Sequence, residues 1–470
     1  MSQGDRKHEK GSHTERRLSN RNSFHASCPK PERKSYNSSR RELTGDKRLN
    51  RTQVKHKIRG LRWWMIGLIM LGSIINYLTR STLSVAAPVL LQDLHITERQ
   101  YSWITGAFQG TIMLQPICGY VLDVIGLKSG FALFAIAWSL ISMAHGLAHS
   151  WQAFAWLRGL LGLSEGCANP AGMKATAEWF PAQERGFAGG IFNIGASVGS
   201  MLAPPLVAWA ILNYNWQAAF VITGGLGLVW VVLWLLLYHS PSRHPLLSQQ
   251  EREHIAMGQE KSLGHLGRRP SVGAILKQRN FWGIALPRFL ADPTWGTLTF
   301  WLPLYLSTVR HMDLKQIALF AWLPFLAADF GCLFGGFVGA ALQKYAGVGL
   351  INARRGAFSV GACLMMGVAF AGFVESPYAA IALLSLAGFA HQTLYVTVIT
   401  MSSDLFQRSE VATVAGMAGT LGNAGLLIFS LLIGALVTTI GYSPFFICLG
   451  LLDLAGAAIL WTLVRESKTP

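Results

Sequence analysis

The stretch WWMIGLIMLGSIINYLTRSTLSVAAPVLL, residues 63–91, decides the fold. Arg80 is its only charged side chain, and its other residues are apolar or uncharged. About twenty such residues suffice for one helix to cross the hydrocarbon core of a bilayer. A guanidinium at that depth costs about 2.5–3.5 kcal/mol on insertion scales, so we expect Arg80 to face a polar cavity and to meet an anion there.

The composition of the whole chain predicts a polytopic membrane protein. Of its 470 residues, 51% are hydrophobic and 13% are charged, too few charges to coat a soluble globule of this size. The sequence contains no phosphate loop, metal-ligand cluster or nucleophile motif, which disfavours an enzyme, and we expect neither a cofactor nor a metal. The six cysteines form no CxxC pair and are interpreted as packing residues.

Apolar runs of about twenty residues follow one another along the chain. The predicted spans are 63–91, 99–122, 129–148, 151–177, 186–212, 215–238, 280–307, 315–342, 350–374, 377–403, 410–438 and 442–464. They predict an all-α membrane protein with twelve transmembrane helices in two six-helix bundles. The expected domains are a disordered basic N-terminal tail (1–60), an N-terminal bundle (61–238), a cytoplasmic loop (239–279) and a C-terminal bundle (280–470).

Positive charge is concentrated at the start of the chain. Residues 1–60 contain seventeen Lys or Arg against six acids and few apolar side chains, a composition typical of disorder. We expect this tail to contact anionic lipid headgroups and not nucleic acid. A gene start placed too early, with the working protein beginning near Val54, explains the segment equally well. Lys and Arg in alternate short connections predict that both termini are cytoplasmic.

Two motifs recur at matching places in the two halves. AEWFPAQER (177–185) follows the fourth span and SDLFQRSE (403–410) follows the tenth. Each has an acid, a Phe two residues later and a basic turn. Such echoes favour two bundles related by an axis along the membrane normal, with a substrate site near the midplane between them.

Polar residues inside several spans recur at helical spacing, and each set shares one helix face. These sets are Ser73, Tyr77, Arg80 and Ser84; Asn193, Ser197 and Ser200; Arg288, Asp292, Trp295 and Thr299; and Thr413, Gly416, Thr420 and Asn423. A packing face would be small or apolar throughout, so we expect these faces to line a wet cavity.

The two arginines in these faces each have two open interpretations. No acid lies within a helical turn of Arg80 in its own span, which favours binding of a substrate anion; a carboxylate from another helix would make Arg80 structural instead. Arg288 has Asp292 one turn away, so that pair can neutralise itself without a substrate.

Arg158 and Glu165 in the fourth span are candidates for proton coupling. They stand two turns apart, and Glu165 lies in an apolar segment. Burial disfavours an ionised carboxylate whereas a nearby cation favours it, a balance that suits a group which gains and loses a proton. A static ion pair is the alternative.

The remaining candidate substrate contacts are uncharged at neutral pH: Tyr77, Asn193, Trp295, His391, Gln392 and Asn423. They offer aromatic faces and hydrogen bonds to hydroxyl groups. A lone His in a helix is more often structural, and Trp is common as a membrane-interface anchor. Asp329 and Asp453 are expected to serve packing or gating, since the last helix, which carries Asp453, is expected to be peripheral.

Longer motifs resemble a known family. GYVLDVIGLK (119–128) is similar to the G-x-x-x-D-x-x-G-x-[RK] loop of the major facilitator superfamily, and RGLLGLSEG (158–166) resembles its helix-four pattern. INYLTR with AAP, EWFPAQERG, FWGIALPRFLADPTWGT, and GFAHQ followed by SSDLF are similar to the hexuronate transporters of the anion:cation symporter family. The resemblance covers about residues 60–465.

The resemblance implies proton-coupled uptake of glucuronate or galacturonate by alternating access, in a bacterial cytoplasmic (inner) membrane. It assigns Tyr77 and Arg80 to the substrate and Arg158 with Glu165 to charge coupling. Residues of the superfamily loop would serve a cytoplasmic gate: Gly119, Asp123, Gly126 and Lys128. The expected partners are a small organic anion, protons and membrane lipid, and the expected state is a monomer.

Two positions depart from the family pattern. Thr79 stands where several sugar-acid symporters place an acid, which leaves Glu165 as the main proton carrier, and Thr111 stands where many relatives place a Tyr. Two alternatives to a hexuronate transporter remain open. One is a carrier of another organic acid, such as an aldonate, an aldarate or an aromatic carboxylate. The other is a non-transporting membrane sensor or tether.

Overall fold

The structure is a computed structural model that describes residues 58–181, 184–263, 272–406 and 410–465. Most of the predicted basic tail, residues 1–57, lies outside these ranges, so its predicted disorder stays a prediction. Within the described ranges the chain is helical, and its only β pairing is one isolated bridge between Ile58 and Leu247. The prediction of an all-α protein is confirmed.

The first half of the chain contains eight helices, and a single 3-10 turn follows the fourth, at His145–Leu147. The helices are α1 (Leu61–Asp93), α2 (Glu98–Ile112), α3 (Gln115–Ile125), α4 (Leu127–Ala144), α5 (Trp151–Glu165), α6 (Ala168–Trp179), α7 (Arg185–Asn213) and α8 (Trp216–Leu237).

Two short helices occupy the predicted central loop, α9 (Gln249–Leu263) and α10 (Val272–Leu276). The second half then contains α11 (Arg279–Gly296), a π-helical segment (Thr297–Trp301), α12 (Leu302–Thr308), α13 (Leu314–Phe320), α14 (Leu323–Ala346), α15 (Leu350–Met365), a 3-10 segment (Met366–Gly372), α16 (Pro377–Leu405), α17 (Val411–Ile440) and α18 (Ser443–Leu463).

Nine helical segments of the described chain are long and apolar enough to cross a membrane. The other three predicted spans fall on interrupted helices: α2 with α3, α5 with α6, and α11 with α12. Pro116 and Pro170 stand in the first turns of α3 and α6, and Pro303 stands in that of α12. Proline lacks an N–H donor and clashes with the preceding turn, so a helix restarts there more readily than it continues. The count of twelve spans stays a prediction.

Glycines at the contact points allow particular helices to pack closely within each half. α1 packs along α7, and a Cβ added at Gly195 would lie 2.7 Å from the main-chain oxygen of Met70. α2 packs along α5, where a Cβ at Gly162 would overlap the carbonyl of Phe108. In the second half α11 packs on α17 and α18, and α14 packs on α16. Such glycines allow membrane helices to approach backbone to backbone.

The two halves of the chain meet at one end of the bundle, which we name the outer end because α1 finishes and α2 begins there. The hydroxyl of Tyr101 donates to the carbonyl of Phe300 at 2.6 Å, and Thr105 and Ser430 are 3.2 Å apart. Gly434 of α17 lies so close to Ser102 that an added Cβ would overlap that side chain.

Toward the opposite end, named the inner end, the polar faces of α7 and α17 become exposed. The polar face of α7 passes from exposed Asn193 to Ser200, which is 1% exposed, and the polar face of α17 passes from exposed Gly416 to buried Ser430. No described atom of a neighbouring element lies within 4 Å of a Cβ added at Gly189 or Gly416. A wet cavity along these two faces stays a prediction.

The loop helix α9 is attached to the N-terminal half. The buried carboxylate of Glu251 accepts from the main-chain nitrogens of Leu61 and Arg62, at 3.2 and 3.3 Å, and so caps the start of α1. The Arg62 guanidinium also forms ion pairs with Glu251 and Glu184, at 3.3 and 3.1 Å. A carboxylate at a helix N-terminus is favourable because it meets free N–H groups and the positive end of the helix dipole.

Candidate functional site

Arg80 lies at the middle of α1 and forms an ion pair with Glu165 at the end of α5. Its Nε lies 3.0 Å from Oε2 of Glu165, whose side chain is fully buried. The Thr79 hydroxyl donates to the other carboxylate oxygen at 3.0 Å, and the Asn76 amide oxygen accepts from Nη2 of Arg80 at 3.2 Å. The interhelical pairing that was left open for Arg80 is thus present in this conformation.

Arg158 differs from its predicted role as the partner of Glu165. Its Nη1 donates to the main-chain carbonyl of Arg80 at 3.1 Å, and the side chain is 1% exposed. Its Nε and Nη2 have no hydrogen-bond partner among the described residues. The predicted Arg158–Glu165 pair is therefore corrected to Arg80–Glu165, because the Arg158 guanidinium is turned to the backbone of α1. Arg158 instead holds the backbone of α1.

Aromatic rings support both guanidiniums. The Arg80 guanidinium lies 4.3 Å from the ring centre of Tyr77 and 5.2 Å from that of Phe108, and Arg158 lies 5.7 Å from Phe108. Cations over ring faces are stabilised by the ring quadrupole when water is excluded. Phe108 and Asn76 were not among the predicted site residues, since nothing in one sequence indicates which apolar or amide side chain of a neighbouring turn faces an arginine.

The charges in this cluster do not cancel. Arg80 and Arg158 contribute two positive charges against the single carboxylate of Glu165, and the Arg80 side chain keeps 12% of its surface exposed. A buried excess of positive charge is costly unless an anion neutralises it. This arrangement therefore favours an anionic ligand at the exposed part of Arg80.

A second cluster lies in the C-terminal half. Nη2 of Arg288 lies 3.1 Å from Oδ2 of Asp292, as the spacing of these residues predicted, and both side chains are about one-tenth exposed. The Arg288 guanidinium lies 4.9 Å from the ring centre of Tyr395. Tyr395 was missed by the sequence reasoning, although it follows His391 by one helical turn in α16.

Trp295 and His391 pack on each other. Their ring centres are 5.8 Å apart with planes at 24°, and His391 is only 2% exposed. His391 is therefore buried against Trp295, and its predicted contact with the substrate stays a prediction. Trp295 remains half-buried beside it, and Gln392 on the next position of α16 is half-buried as well.

Asn193 and Asn423 lie on the polar faces of α7 and α17. Nδ2 of Asn193 donates to the carbonyl of Gly189 at 2.9 Å, and Nδ2 of Asn423 donates to that of Gly419 at 3.1 Å. Asn193 is exposed and Asn423 is half-buried. Both amides are therefore held by their own helices.

The predicted gating residues lie around the α3–α4 connection at the inner end. Gly126 has a φ of 85°, which favours glycine, and a Cβ at Gly119 would make ordinary contact with Pro170. Nζ of Lys128 lies 3.3 Å from Nε2 of His239. The side chain of Asp123 lies outside the described part of the chain.

Curated relatives of the chain are membrane transporters. The hexuronate transporter of Escherichia coli (strain K12) is 47% identical over 412 residues, which cover 87% of this chain and 95% of that protein. The galacturonate transporter of Dickeya chrysanthemi is 50% identical over 329 residues, covering 69% and 95%. The probable galactarate/D-glucarate transporter of Escherichia coli (strain K12) is 28% identical over 409 residues, covering 82% and 90%.

The fold is similar to that of a solved transporter, and a family profile agrees with it. A bacterial homolog of the human lysosomal transporter Spinster, in an inward-facing and unoccupied conformation, superposes with a TM-score of 0.66 at 16% identity, covering 86% of this chain and 96% of that one. The Major Facilitator Superfamily profile matches residues 69–390. The chain is therefore a multi-pass membrane protein that belongs to the Major Facilitator Superfamily.

Proposed function

We propose that this protein carries a hexuronate, glucuronate or galacturonate, across the membrane together with protons, by alternating access. The observation that carries the proposal is the unbalanced pair of guanidiniums, Arg80 and Arg158, around one carboxylate at the centre of the N-terminal half. The substrates named for the relatives at 47% and 50% identity support the choice of a sugar acid.

In the proposed cycle the substrate carboxylate binds Arg80, which in this conformation forms an ion pair with Glu165. Protonation of Glu165 removes the competing negative charge and leaves the planar guanidinium to grip the substrate carboxylate through two hydrogen bonds. Arg158 keeps the backbone of α1 in place through its bond to the Arg80 carbonyl. The proton therefore binds Glu165 and the substrate binds Arg80, the two members of one ion pair.

The uncharged groups that border the cavity would contact the sugar hydroxyls. We assign this role to Tyr77, Asn193, Gln392 and Asn423, with Trp295 as an aromatic face. Arg288 would donate hydrogen bonds to the hydroxyls once it parts from Asp292. His391 would act through Trp295, because its ring packs against the indole.

The experiment that tests the proposal is Glu165→Gln in reconstituted vesicles. We expect the variant to lose proton-driven accumulation of galacturonate and to keep counterflow exchange, because a neutral amide mimics the protonated acid but cannot release a proton. Arg80→Lys should lose both activities, since an ammonium group cannot offer a planar fork. Equal accumulation by Glu165→Gln and the parent would reject the mechanism.

Aldarates are a second candidate substrate class. The relative described as a probable galactarate/D-glucarate transporter shares 28% identity with this chain, and an aldarate carries a second carboxylate that could meet Arg288. A thermal-shift screen of purified protein against uronates, aldonates, aldarates and aromatic acids separates these classes, because a ligand stabilises the folded state according to its occupancy. If only the aldarates stabilise the protein in this screen, an aldarate replaces hexuronate as the proposed substrate.

We further propose a location in a bacterial cytoplasmic membrane with both termini on the cytoplasmic side, which makes the inner end cytoplasmic. The distribution of Lys and Arg in the connections supports this orientation. Gly119, Asp123, Gly126 and Lys128 would then form part of a cytoplasmic gate. The protein would act as a monomer, with its basic tail against anionic lipid.

A further inference from the structure

Asp453 is a buried acid with no assigned role. It lies near the middle of α18 and is 0% exposed. Neither of its carboxyl oxygens has a hydrogen-bond partner among the residues that the structure describes. The side of α18 that carries Asp453 packs against α11, α15 and the 3-10 segment at Met366–Gly372, whereas Ile447, Leu451 and Trp461 of the same helix are exposed, as expected of a peripheral helix.

The charged groups around Asp453 come from two of these elements. α11 carries Arg288 and Asp292 and lies against α18 near Asp453, since a Cβ added at Gly456 would lie 3.5 Å from Cα of Pro287. α15 carries Cys363 and Arg355; the latter is bound to the carbonyl at the far end of α18. The 3-10 segment and α17 contribute no titratable side chain to this region.

These surroundings favour the neutral acid over the carboxylate. An ionised Asp453 would have no donor and no paired cation, because Arg288 is already bound to Asp292. Removing an unpaired charge from water is far costlier than removing a neutral carboxylic acid. Asp292 adds a like charge nearby, which opposes a second ionisation.

We propose that Asp453 holds a proton in this conformation and exchanges it with the Arg288–Asp292 pair, so that the C-terminal half contains a second proton-binding site. When Arg288 parts from Asp292, the proton moves from the Asp453 carboxyl to the Asp292 carboxylate, and the new Asp453 carboxylate becomes the counterion of Arg288. The total charge of the three groups is unchanged. Asp292 is 8% exposed, whereas Asp453 is 0% exposed, so Asp292 is the member of this group that can exchange a proton with water. The inference rests on the proposed proton coupling.

Infrared spectroscopy tests whether Asp453 carries the proton. We compare purified parent, Asp453→Asn and Asp329→Asn at neutral pH, in the spectral region of protonated carboxylic acids. Asp453→Asn should lose a component of this absorption that Asp329→Asn keeps, since Asp329 is an acid of the same half on another helix. Identical spectra of Asp453→Asn and the parent would overturn the inference. If the Asn variant does not fold, Asp453→Val provides the same comparison.

Proton counting tests the exchange. With galacturonate added to reconstituted vesicles, Asp453→Asn should move fewer protons per substrate than the parent. An unchanged ratio would mean that the proton on Asp453 is static, and it would overturn the exchange. If the parent itself moves no protons with galacturonate, the coupling proposed for Glu165 fails too, whereas the infrared comparison still decides whether Asp453 is protonated.

Discussion

Replacing Gly434 by Ala tests whether the outer end holds the two halves together. An added Cβ would overlap both Cβ and Oγ of Ser102, so α2 and α17 would have to separate. Overpacking a close contact costs about 1–3 kcal/mol. Because this cost falls only on the conformation in which the outer end is closed, the ratio of outward-open to closed molecules should rise about 5- to 150-fold.

Alkylation of a single cysteine measures this shift. Ser200 lines a small cavity between the halves and is 1% exposed, so Ser200→Cys in a cysteine-free background should react slowly with a membrane-impermeant maleimide added to intact cells. Adding Gly434→Ala should raise the rate about 5- to 150-fold, the population change worked out above.

Two matched variants show whether the overlap with Ser102 is the cause. Gly416→Ala places the same methyl group on the same helix, where no described atom lies within 4 Å, and should leave the alkylation rate unchanged. Ser102→Gly combined with Gly434→Ala should recover most of the parental rate, since only the backbone oxygen of Glu98, 2.9 Å from the added Cβ, then remains in the way. Equal rates in the Gly434 and Gly416 variants, or no recovery in the double variant, would refute the reasoning.

Two further predictions concern the inner end and the cavity. Glu251→Gln should lower the free energy of unfolding by about 1 kcal/mol or more, measured by thermal unfolding, since it weakens the cap of α1. Glu253→Gln, an exposed position on the same helix, should not. Equal unfolding of the two variants would contradict the cap. Tyr395→Phe should raise the KM for galacturonate counterflow about fivefold, the effect of one lost hydrogen bond of about 1 kcal/mol. Tyr378→Phe, at an exposed position, is the control. An unchanged KM in the Tyr395 variant would mean that this hydroxyl does not bind the substrate.

The sequence predicts the helical architecture because the signal is local. An apolar run of membrane length forms a helix whatever lies beside it, since the bilayer offers its backbone no other partner. The breaks at Pro116 and Pro170 were missed because the runs stay apolar through them. The attachment of α9 was missed because a carboxylate such as Glu251 gives no sign in the sequence of which helix it will cap.

The sequence predicted which residues form the site better than it predicted the contacts between them. Arg80 and Glu165 were both selected, yet their pairing depends on how α1 and α5 pack, which one sequence does not contain. The surroundings of Asp453 were not predicted for a related reason: α18 is apolar around its whole circumference, so no polar face indicates which helices its buried side contacts. Arg288 and Asp292 were predicted as a pair because their contact lies within one helix.

The two asparagine amides on the polar faces of α7 and α17 favour hydroxyl groups in a ligand. Asn193 and Asn423 each use one N–H for a carbonyl one turn back, so each amide keeps its second N–H and its carbonyl oxygen for another partner. A hydroxyl group both donates and accepts and can satisfy these two groups, whereas a carboxylate only accepts and would leave the amide oxygen unmatched. A polyhydroxy acid would then enter with its acid end toward the guanidiniums and its alcohol groups toward the amides.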